Sequence, residues 1–325
     1  MTMNSTKLLL ANTMMIGVIM TICSNNWVSM WMGLEMSLLS FIPFMQTKNV
    51  ISSESMIKYF IMQSVASTLL LLSVVIMLVV EAFMMNEMVM SMAMLIKLGS
   101  APFHNWVILI IETMNYLTMI IMLTLLKIPP LLIMFQVNSS MLMLPIILGM
   151  IVGSMFGLNQ SSMRKTIGYS SIFNMSLVLT SINSFNITIV YMTLYSISLF
   201  LLVNTIKYLK INFISQMILN EHNAFMKINL WINMLSMGGF PPLIGFLSKM
   251  LVIQLMLQNN EYLLTFLLVM TSMLVMAFYM RLAFTSMISY STSKKWNNNS
   301  NFTEISMFSM NLLITPLIIT LTSIF

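Results

Sequence analysis

The stretch MLIKLGSAPFHNW, residues 94–106, combines an apolar helical run with features that a membrane helix normally avoids. Lys97 lies in the middle of the apolar run, and Gly99 and Pro102 follow shortly after it. Glycine weakens a helix through its conformational freedom, and proline interrupts it because it lacks a backbone N–H and clashes with the preceding turn. The stretch therefore predicts a broken helix with a lysine at the break.

The composition of the chain places this break inside a membrane. Of the 325 residues, 59% are hydrophobic and 7% are charged, whereas about a quarter of the residues in soluble domains are charged. Apolar windows of about 20 residues, long enough to cross a hydrocarbon core of about 30 Å, recur along the chain. We predict an all-α polytopic membrane protein. The transmembrane helices, about eleven in all, are predicted at residues 6–23, 27–45, 57–80, 89–110, 115–135, 140–158, 166–184, 186–206, 227–257, 261–284 and 305–325.

The basic residues outside the spans fall on one side of this topology. They are Lys7, Lys48, Lys58, Arg164, Lys165, Lys207, Lys210, Lys227, Arg281, Lys294 and Lys295. The positive-inside rule then places the N-terminus in the cytoplasm-like compartment, which is the matrix for a mitochondrial protein. Orientation in the membrane explains the net charge of +6 without a nucleic-acid partner.

A second break is predicted at SMGGFPPLIGF, residues 236–246. Its helix-breaking residues are Gly238, Gly239, Pro241 and Pro242. The two breaks fall five spans apart, which favours two inverted five-helix repeats, residues 6–135 and 140–284, each broken in its fourth helix. The repeats form a single transmembrane domain, 1–325, with one further C-terminal helix at 305–325. Two unrelated proline kinks are the alternative.

Ionisable residues inside the predicted spans are the candidate site residues. They are Glu35, Lys97, Lys127 and Lys249. A charge at the bilayer centre costs about 2.5–3.5 kcal/mol on insertion scales, so residues of this kind tend to be functional. Lys97 and Lys249 adjoin the breaks, and Glu35 can supply a counter-charge. Lys127, near the end of its span, can instead snorkel to the interface. His104 can relay protons or make a structural hydrogen bond within the break.

The sequence contains no pattern for a bound metal or cofactor. The single Cys23 excludes internal disulfides and cysteine-based iron–sulfur or zinc sites. No GxGxxG or GxxxxGK[ST] nucleotide-binding motif occurs. The 42 methionines are scattered through every span, and a mitochondrial code that reads an extra codon as Met explains them better than metal binding does. The residues alone indicate a subunit that moves ions.

Five segments match a known family in order and spacing. They are MGLEMSLLSFIP (32–43), YFIMQSVAS (59–67), IKLGSAPFHNW (96–106), LNQSSMRKTIGYSSI (158–172) and LSMGGFPPLIGFLSK (235–249). Together they resemble the chain 2 family of mitochondrial NADH:ubiquinone oxidoreductase, respiratory complex I, with insect forms most similar. The resemblance implies an antiporter-like, proton-translocating subunit in the mitochondrial inner membrane, with other membrane-arm subunits and lipids as partners. It also implies that FMN, iron–sulfur clusters and ubiquinone belong to other subunits.

The resemblance assigns a role to each candidate residue. Glu35 matches the glutamate of the family's Glu–Lys pair, and Lys97 matches its lysine. Lys127 matches the central connecting lysine, and Lys249 matches the lysine toward the proton exit. His104 matches the histidine of the APFH segment.

The chain also departs from the family pattern, and two other functions stay open. Leu125 and Leu126 replace a Trp-Gln pair, Asn174 replaces a histidine, and Ile108 replaces a proline. A free-standing cation/proton antiporter shares the fold, and a scaffold that pumps nothing would need the charges only for assembly. The codon usage and the eleven spans favour complex I over the antiporter.

Overall fold

The computed structural model describes residues 5–47, 50–79, 83–137, 140–219, 224–288 and 309. Within these ranges the chain folds into helices joined by short connections, with one isolated bridge between Ser162 and Phe213. The chain divides into two compact units, Met1–Gly149 and Met150–Phe325. Outside the described residues lie most of the predicted helix 305–325 and the basic residues Lys48, Lys294 and Lys295.

Seven helices belong to the first unit. They are α1 (Ser5–Cys23), α2 (Trp27–Met45), α3 (Val50–Val79), α4 (Phe83–Leu98), α5 (Asn105–Thr113), α6 (Tyr116–Leu123) and α7 (Ile128–Val137). In this unit α1 packs on α2, α2 on α3, α3 on α4 and α5, and α4 on α7. These contacts bring the first break against α3 and the end of the fifth predicted span.

The remaining helices lie in the second unit, apart from the first half of α8. They are α8 (Met143–Leu158), α9 (Met163–Thr180), α10 (Phe185–Leu209), α11 (Ile214–Leu219), α12 (Ala224–Gly238), α13 (Ile244–Gln258) and α14 (Tyr262–Ile288). Here α10 packs on α9, α12 and α13, and α14 packs on α11, α12 and α13. The second break is therefore enclosed by α9, α10 and α14.

The prediction of an all-α polytopic membrane protein is confirmed. Six helical stretches among the described residues are long and apolar enough to cross a membrane, and α8 and α13 are shorter apolar helices. Each of the first ten predicted spans coincides with one helix or with two helices separated by a break. The fifth span, predicted as continuous, is interrupted by a short 3₁₀ turn at Leu125–Lys127, so that detail of the prediction is wrong.

The first break closes with a glycine in the left-handed conformation. Gly99 has φ 65°. Its N–H donates to the Ile96 carbonyl at 3.1 Å, and the N–H of Ser100 donates to the Leu95 carbonyl at 3.2 Å. These are the two hydrogen bonds of a Schellman motif, which pairs carbonyls that a helix end otherwise leaves unsatisfied. The pairing matters at membrane depth, because lipid offers no donors.

The second break closes in the same way. Gly239 has φ 82°. Its N–H lies 3.1 Å from the Ser236 carbonyl, and the N–H of Phe240 lies 3.1 Å from the Leu235 carbonyl. Each unit thus contains one helix that ends on a Schellman glycine and resumes a few residues later. The inverted relation of the two repeats stays a prediction.

Two glycines fix the approach of α1 to α2, the helix that carries Glu35. A Cβ on Gly33 would lie 2.8 Å from the Gly17 carbonyl oxygen and 2.9 Å from the Thr21 amide nitrogen. Both distances are far inside van der Waals contact, so the two backbones pass as closely as glycine permits. This is the small-residue packing typical of membrane helices.

Candidate functional site

Lys97 lies in the last turn of α4, directly before the first break, and is 7% exposed. The C-terminal end of a helix carries partial negative charge from its aligned peptide dipoles, so a cation is favoured there. The sequence prediction of a buried lysine at a helix break is therefore confirmed as a location.

Lys127 lies in the 3₁₀ turn between α6 and α7 and is 4% exposed. Thr124 begins this turn, and its hydroxyl donates back to the Ile120 carbonyl at 2.7 Å. Pro129 and Pro130 follow in the first turn of α7. The turn lies inside an apolar stretch, Tyr116–Val137, that is long enough to span a membrane. The interpretation of Lys127 as a snorkelling residue is wrong, because the side chain is buried within the first unit.

Lys97 and Lys127 line one internal cavity, which we call the two-lysine cavity. Its volume is ≈ 20 Å³, which is room for about one water molecule. Its polar lining residues come from α2, α3, α4, α5 and the 3₁₀ turn, and they are Ser37, Tyr59, Gln63, Lys97, Trp106 and Lys127. The first break and the interruption at Lys127 therefore meet at the same buried polar space.

Glu35 lies beside this cavity without pairing directly with a lysine. It interacts electrostatically with Lys97 and with Tyr59. Within the described residues no salt bridge joins Glu35 to Lys97, and the Oε1 atom of Glu35 is buried without a hydrogen bond. A carboxylate in this position can form a contact with Lys97 through a side-chain movement, so the Glu–Lys pair of the sequence analysis is present in an open form.

Tyr59 and Gln63 are site residues to which the sequence analysis assigned no role. They lie four residues apart on one face of α3 and are 4% and 5% exposed. The Tyr59 ring packs against Phe41 at 5.3 Å and against Trp106 at 5.9 Å between ring centroids. Polar side chains inside an apolar span were the available signal.

His104 lies apart from the cavity. It immediately precedes α5, and its Nδ1 atom lies 3.2 Å from the Pro102 carbonyl oxygen. It does not line the two-lysine cavity. Of the two interpretations for this residue, the geometry matches the structural hydrogen bond within the break.

Lys249, in the second unit, contacts the other break directly. It is 6% exposed, and its Nζ donates to the Gly238 carbonyl at 2.6 Å. The same Nζ lies 5.7 Å from the centroid of the Phe173 ring, a cation–π distance. A Cβ on Gly239 would lie 2.7 Å from this Nζ. Glycine at position 239 therefore provides both the turn and the space for the ammonium group.

Lys227 corrects the sequence analysis, which assigned it to a connecting segment. The structure places it in the first turn of α12 with 4% exposure. The second unit therefore contains two buried lysines, Lys227 and Lys249. The neighbouring polar residues in the sequence made the start of α12 look like a loop.

Comparison with known proteins places the chain in a family. A family model described as "NADH:quinone oxidoreductase/Mrp antiporter, TM" matches residues 24–275. The chain belongs to this family. The matched range includes both breaks, the two-lysine cavity and Lys249, so the family similarity covers all of the geometry above.

Family relatives and solved structures agree with this assignment. The chain is 37% identical over 269 residues to NADH-ubiquinone oxidoreductase chain 2 of Anopheles gambiae, covering 78% of each chain. It is 36% identical over 279 residues to the same-named protein of Locusta migratoria, covering 82% of this chain and 81% of the other. A chain of respiratory complex I from Thermus thermophilus has the same fold, with a TM-score of 0.82, 19% identity, and coverage of 97% and 78%.

Proposed function

We propose that the chain is the chain 2-type subunit of the membrane arm of respiratory complex I. In this role it translocates protons across the inner mitochondrial membrane, driven by electron transfer from NADH to ubiquinone in other subunits. Its N-terminus faces the matrix, and its partners are neighbouring membrane-arm subunits and lipids. FMN, iron–sulfur clusters and ubiquinone are bound elsewhere in the complex. The observation that carries the proposal is the burial of two lysines and a carboxylate around one small cavity.

The first unit has the parts needed to accept and release a proton. Two ammonium groups in one low-dielectric cavity repel each other, so Lys97 and Lys127 favour sharing one proton between them. The Glu35 carboxylate stabilises the charged form of Lys97 when it approaches. A movement of Glu35 toward or away from Lys97 therefore shifts the proton between the two lysines. Electrostatic change in a neighbouring subunit can drive that movement.

Lys249 completes the proposal in the second unit. Its contacts with the Gly238 carbonyl and the Phe173 ring both depend on its positive charge. Loss of a proton weakens both contacts and frees the side chain to leave the break. We therefore assign to Lys249 the release of protons, as the family resemblance implies.

Two other functions are distinguished by experiment. A free-standing antiporter is suggested by the fold of a chain in the Mrp complex of Dietzia sp., which matches with a TM-score of 0.70 and 14% identity. A scaffold that pumps nothing would use the buried charges only for assembly. The whole-chain similarity to chain 2 relatives favours complex I over the first, and the buried cavity with two lysines favours pumping over the second.

The test removes one buried charge at a time in the assembled complex. In Lys97→Ala and Lys249→Ala, we expect an assembled complex with electron transfer to ubiquinone but fewer protons pumped per electron. Assembly is measured on native gels and pumping in reconstituted liposomes. Lys58→Ala is the control, because Lys58 is exposed and paired with Glu54 at 2.5 Å.

Each proposed function predicts a different outcome. Wild-type proton stoichiometry in both variants would refute the assigned roles. Loss of assembled complex with normal pumping in the residue that assembles would indicate a scaffold. Cation/proton exchange by the purified subunit in liposomes would indicate a free-standing antiporter.

A further inference from the structure

We propose that one face of α10 forms a buried proton path to Lys249 from the membrane side on which α10 ends. The path runs along four residues, Tyr191, Tyr195, Ser198 and Thr205, which we call the α10 polar face. This inference rests on the proposed function, because it assigns to Lys249 a route for protons.

The α10 polar face is continuous by helical spacing. Its residues are separated by four, three and seven positions, so they share one side of the helix. Their exposures are 1%, 4%, 4% and 1% in chain order. The face extends for about 21 Å at 1.5 Å per residue. Four polar side chains in one buried line are costly in a membrane protein, which points to a role in transport.

The end of the face near Lys249 is tied to α9 and α13. The Tyr191 hydroxyl donates to the Asn174 side-chain oxygen at 2.8 Å. It also lies in hydrogen-bonding range of the Ser248 hydroxyl, one residue before Lys249. A hydroxyl with two polar neighbours can exchange which one it donates to. Tyr191 therefore links α10 to the immediate surroundings of Lys249.

Tyr195 continues the path by one turn. Its hydroxyl is buried and makes no hydrogen bond of good geometry within the described residues, although the Ser171 hydroxyl lies beside it. It interacts electrostatically with Tyr191 and Tyr279. A buried hydroxyl without a fixed partner is free to rotate between neighbours, which is what a proton relay needs.

Tyr279 approaches Lys249 from the opposite side. Its hydroxyl donates to the Ser170 hydroxyl oxygen at 2.8 Å. Its own Cβ would lie 3.2 Å from a Cβ on Gly238, whose carbonyl binds the Lys249 ammonium. The tyrosine hydroxyls thus converge on the break that holds the lysine.

The far end of the face contacts α12. The side-chain nitrogen of Asn233, 1% exposed, lies 3.5 Å from the Thr205 hydroxyl and 3.5 Å from the Leu201 carbonyl. Consecutive spans run in opposite directions, so Ser236, one turn further along α12, lies level with the segment between Thr205 and Ser198. Asn233 and Ser236 therefore fill the longest gap in the polar face.

The same end of α10 is the charged one. Lys207 and Lys210 follow Thr205 and are exposed. They belong to the basic residues that mark the predicted matrix side. The path therefore leads from that side to Lys249.

The chemistry of the path is proton hopping. A hydroxyl accepts a proton on its oxygen while its own proton passes to the next acceptor, so one O–H bond forms as another breaks. The last transfer converts the Lys249 amine to an ammonium, with one proton taken up at Thr205. Water molecules complete the chain where hydroxyls are more than a hydrogen bond apart.

The test removes single hydroxyls in the assembled complex reconstituted into liposomes. We expect Thr205→Val and Tyr191→Phe to lower the number of protons pumped per electron as far as Lys249→Ala does. Thr205→Ser, which keeps the hydroxyl but loses a methyl group, should pump better than Thr205→Val. Thr193→Val is the control, because Thr193 lies on the exposed side of the same helix and bonds only to the Val190 carbonyl.

The outcomes separate this path from packing and from the function of Lys249. If Thr205→Ser pumps less well than Thr205→Val, Thr205 acts through packing and the path is overturned. Wild-type stoichiometry in both Thr205→Val and Tyr191→Phe, with a loss in Lys249→Ala, overturns the path alone. Wild-type stoichiometry in Lys249→Ala overturns the proposed role of the lysine itself.

Discussion

The substitution Gly239→Ala is expected to release the Lys249 side chain from the second break. Position 239 has φ 82°, where a residue with a Cβ costs about 1–2 kcal/mol. The new Cβ would lie 2.7 Å from the Lys249 Nζ and 3.0 Å from its Cε and Cδ. The flexible end of the lysine must move away, and its hydrogen bond to the Gly238 carbonyl is lost. A hydrogen bond to a charged group contributes about 1.5–3 kcal/mol, so the two effects together come to about 2.5–5 kcal/mol.

The neighbouring glycine provides the matched control for this prediction. Gly238 is helical, and its Cβ would contact the Tyr279 Cβ at 3.2 Å, so Gly238→Ala changes the packing slightly without strained backbone. We expect Gly239→Ala to pump as few protons per electron as Lys249→Ala, while Gly238→Ala pumps nearly as many as the wild type. Both are measured as the ratio of proton uptake to NADH oxidation in liposomes. Wild-type pumping by Gly239→Ala would refute the claim that the break positions the lysine.

Two further predictions concern the first unit. Tyr59→Phe keeps the ring contacts with Phe41 and Trp106 but removes a hydroxyl from the two-lysine cavity, so assembly should be normal and the protons pumped per electron should fall; unchanged pumping would exclude this hydroxyl from the mechanism. Gly33→Ala forces α1 and α2 apart against backbone atoms at 2.8–2.9 Å, so native gels should show much less assembled complex, whereas Met32→Ala, at an exposed position, should assemble normally.

The breaks could be predicted from sequence because glycine and proline act locally. A helix cannot continue through a left-handed glycine followed by prolines, whatever surrounds it. Lys97, Gly99 and Gly239 lie where the pattern predicts. The burial of Lys97 and Lys249 was also predictable, since a charge in an apolar run of this length can escape lipid only by entering the protein.

Other parts of the site depend on tertiary packing and could not be predicted. The 3₁₀ turn at Lys127 forms in an apolar run whose only local signal is the following proline pair. The burial of Lys227 depends on where α12 begins, which polar neighbours in the sequence obscured. Asn174, which stands where the family pattern has a histidine, accepts a hydrogen bond from Tyr191. That pairing joins α9 to α10, and no local spacing reveals it.

The most direct test of the account is a structure of the assembled complex that resolves ordered water around Lys97 and Lys127. The account predicts at least one water molecule within hydrogen-bonding distance of both ammonium groups, in the cavity that Tyr59 and Gln63 also line. A dry cavity in every resting and turnover state, or lysines that extend to the lipid headgroups, would contradict it.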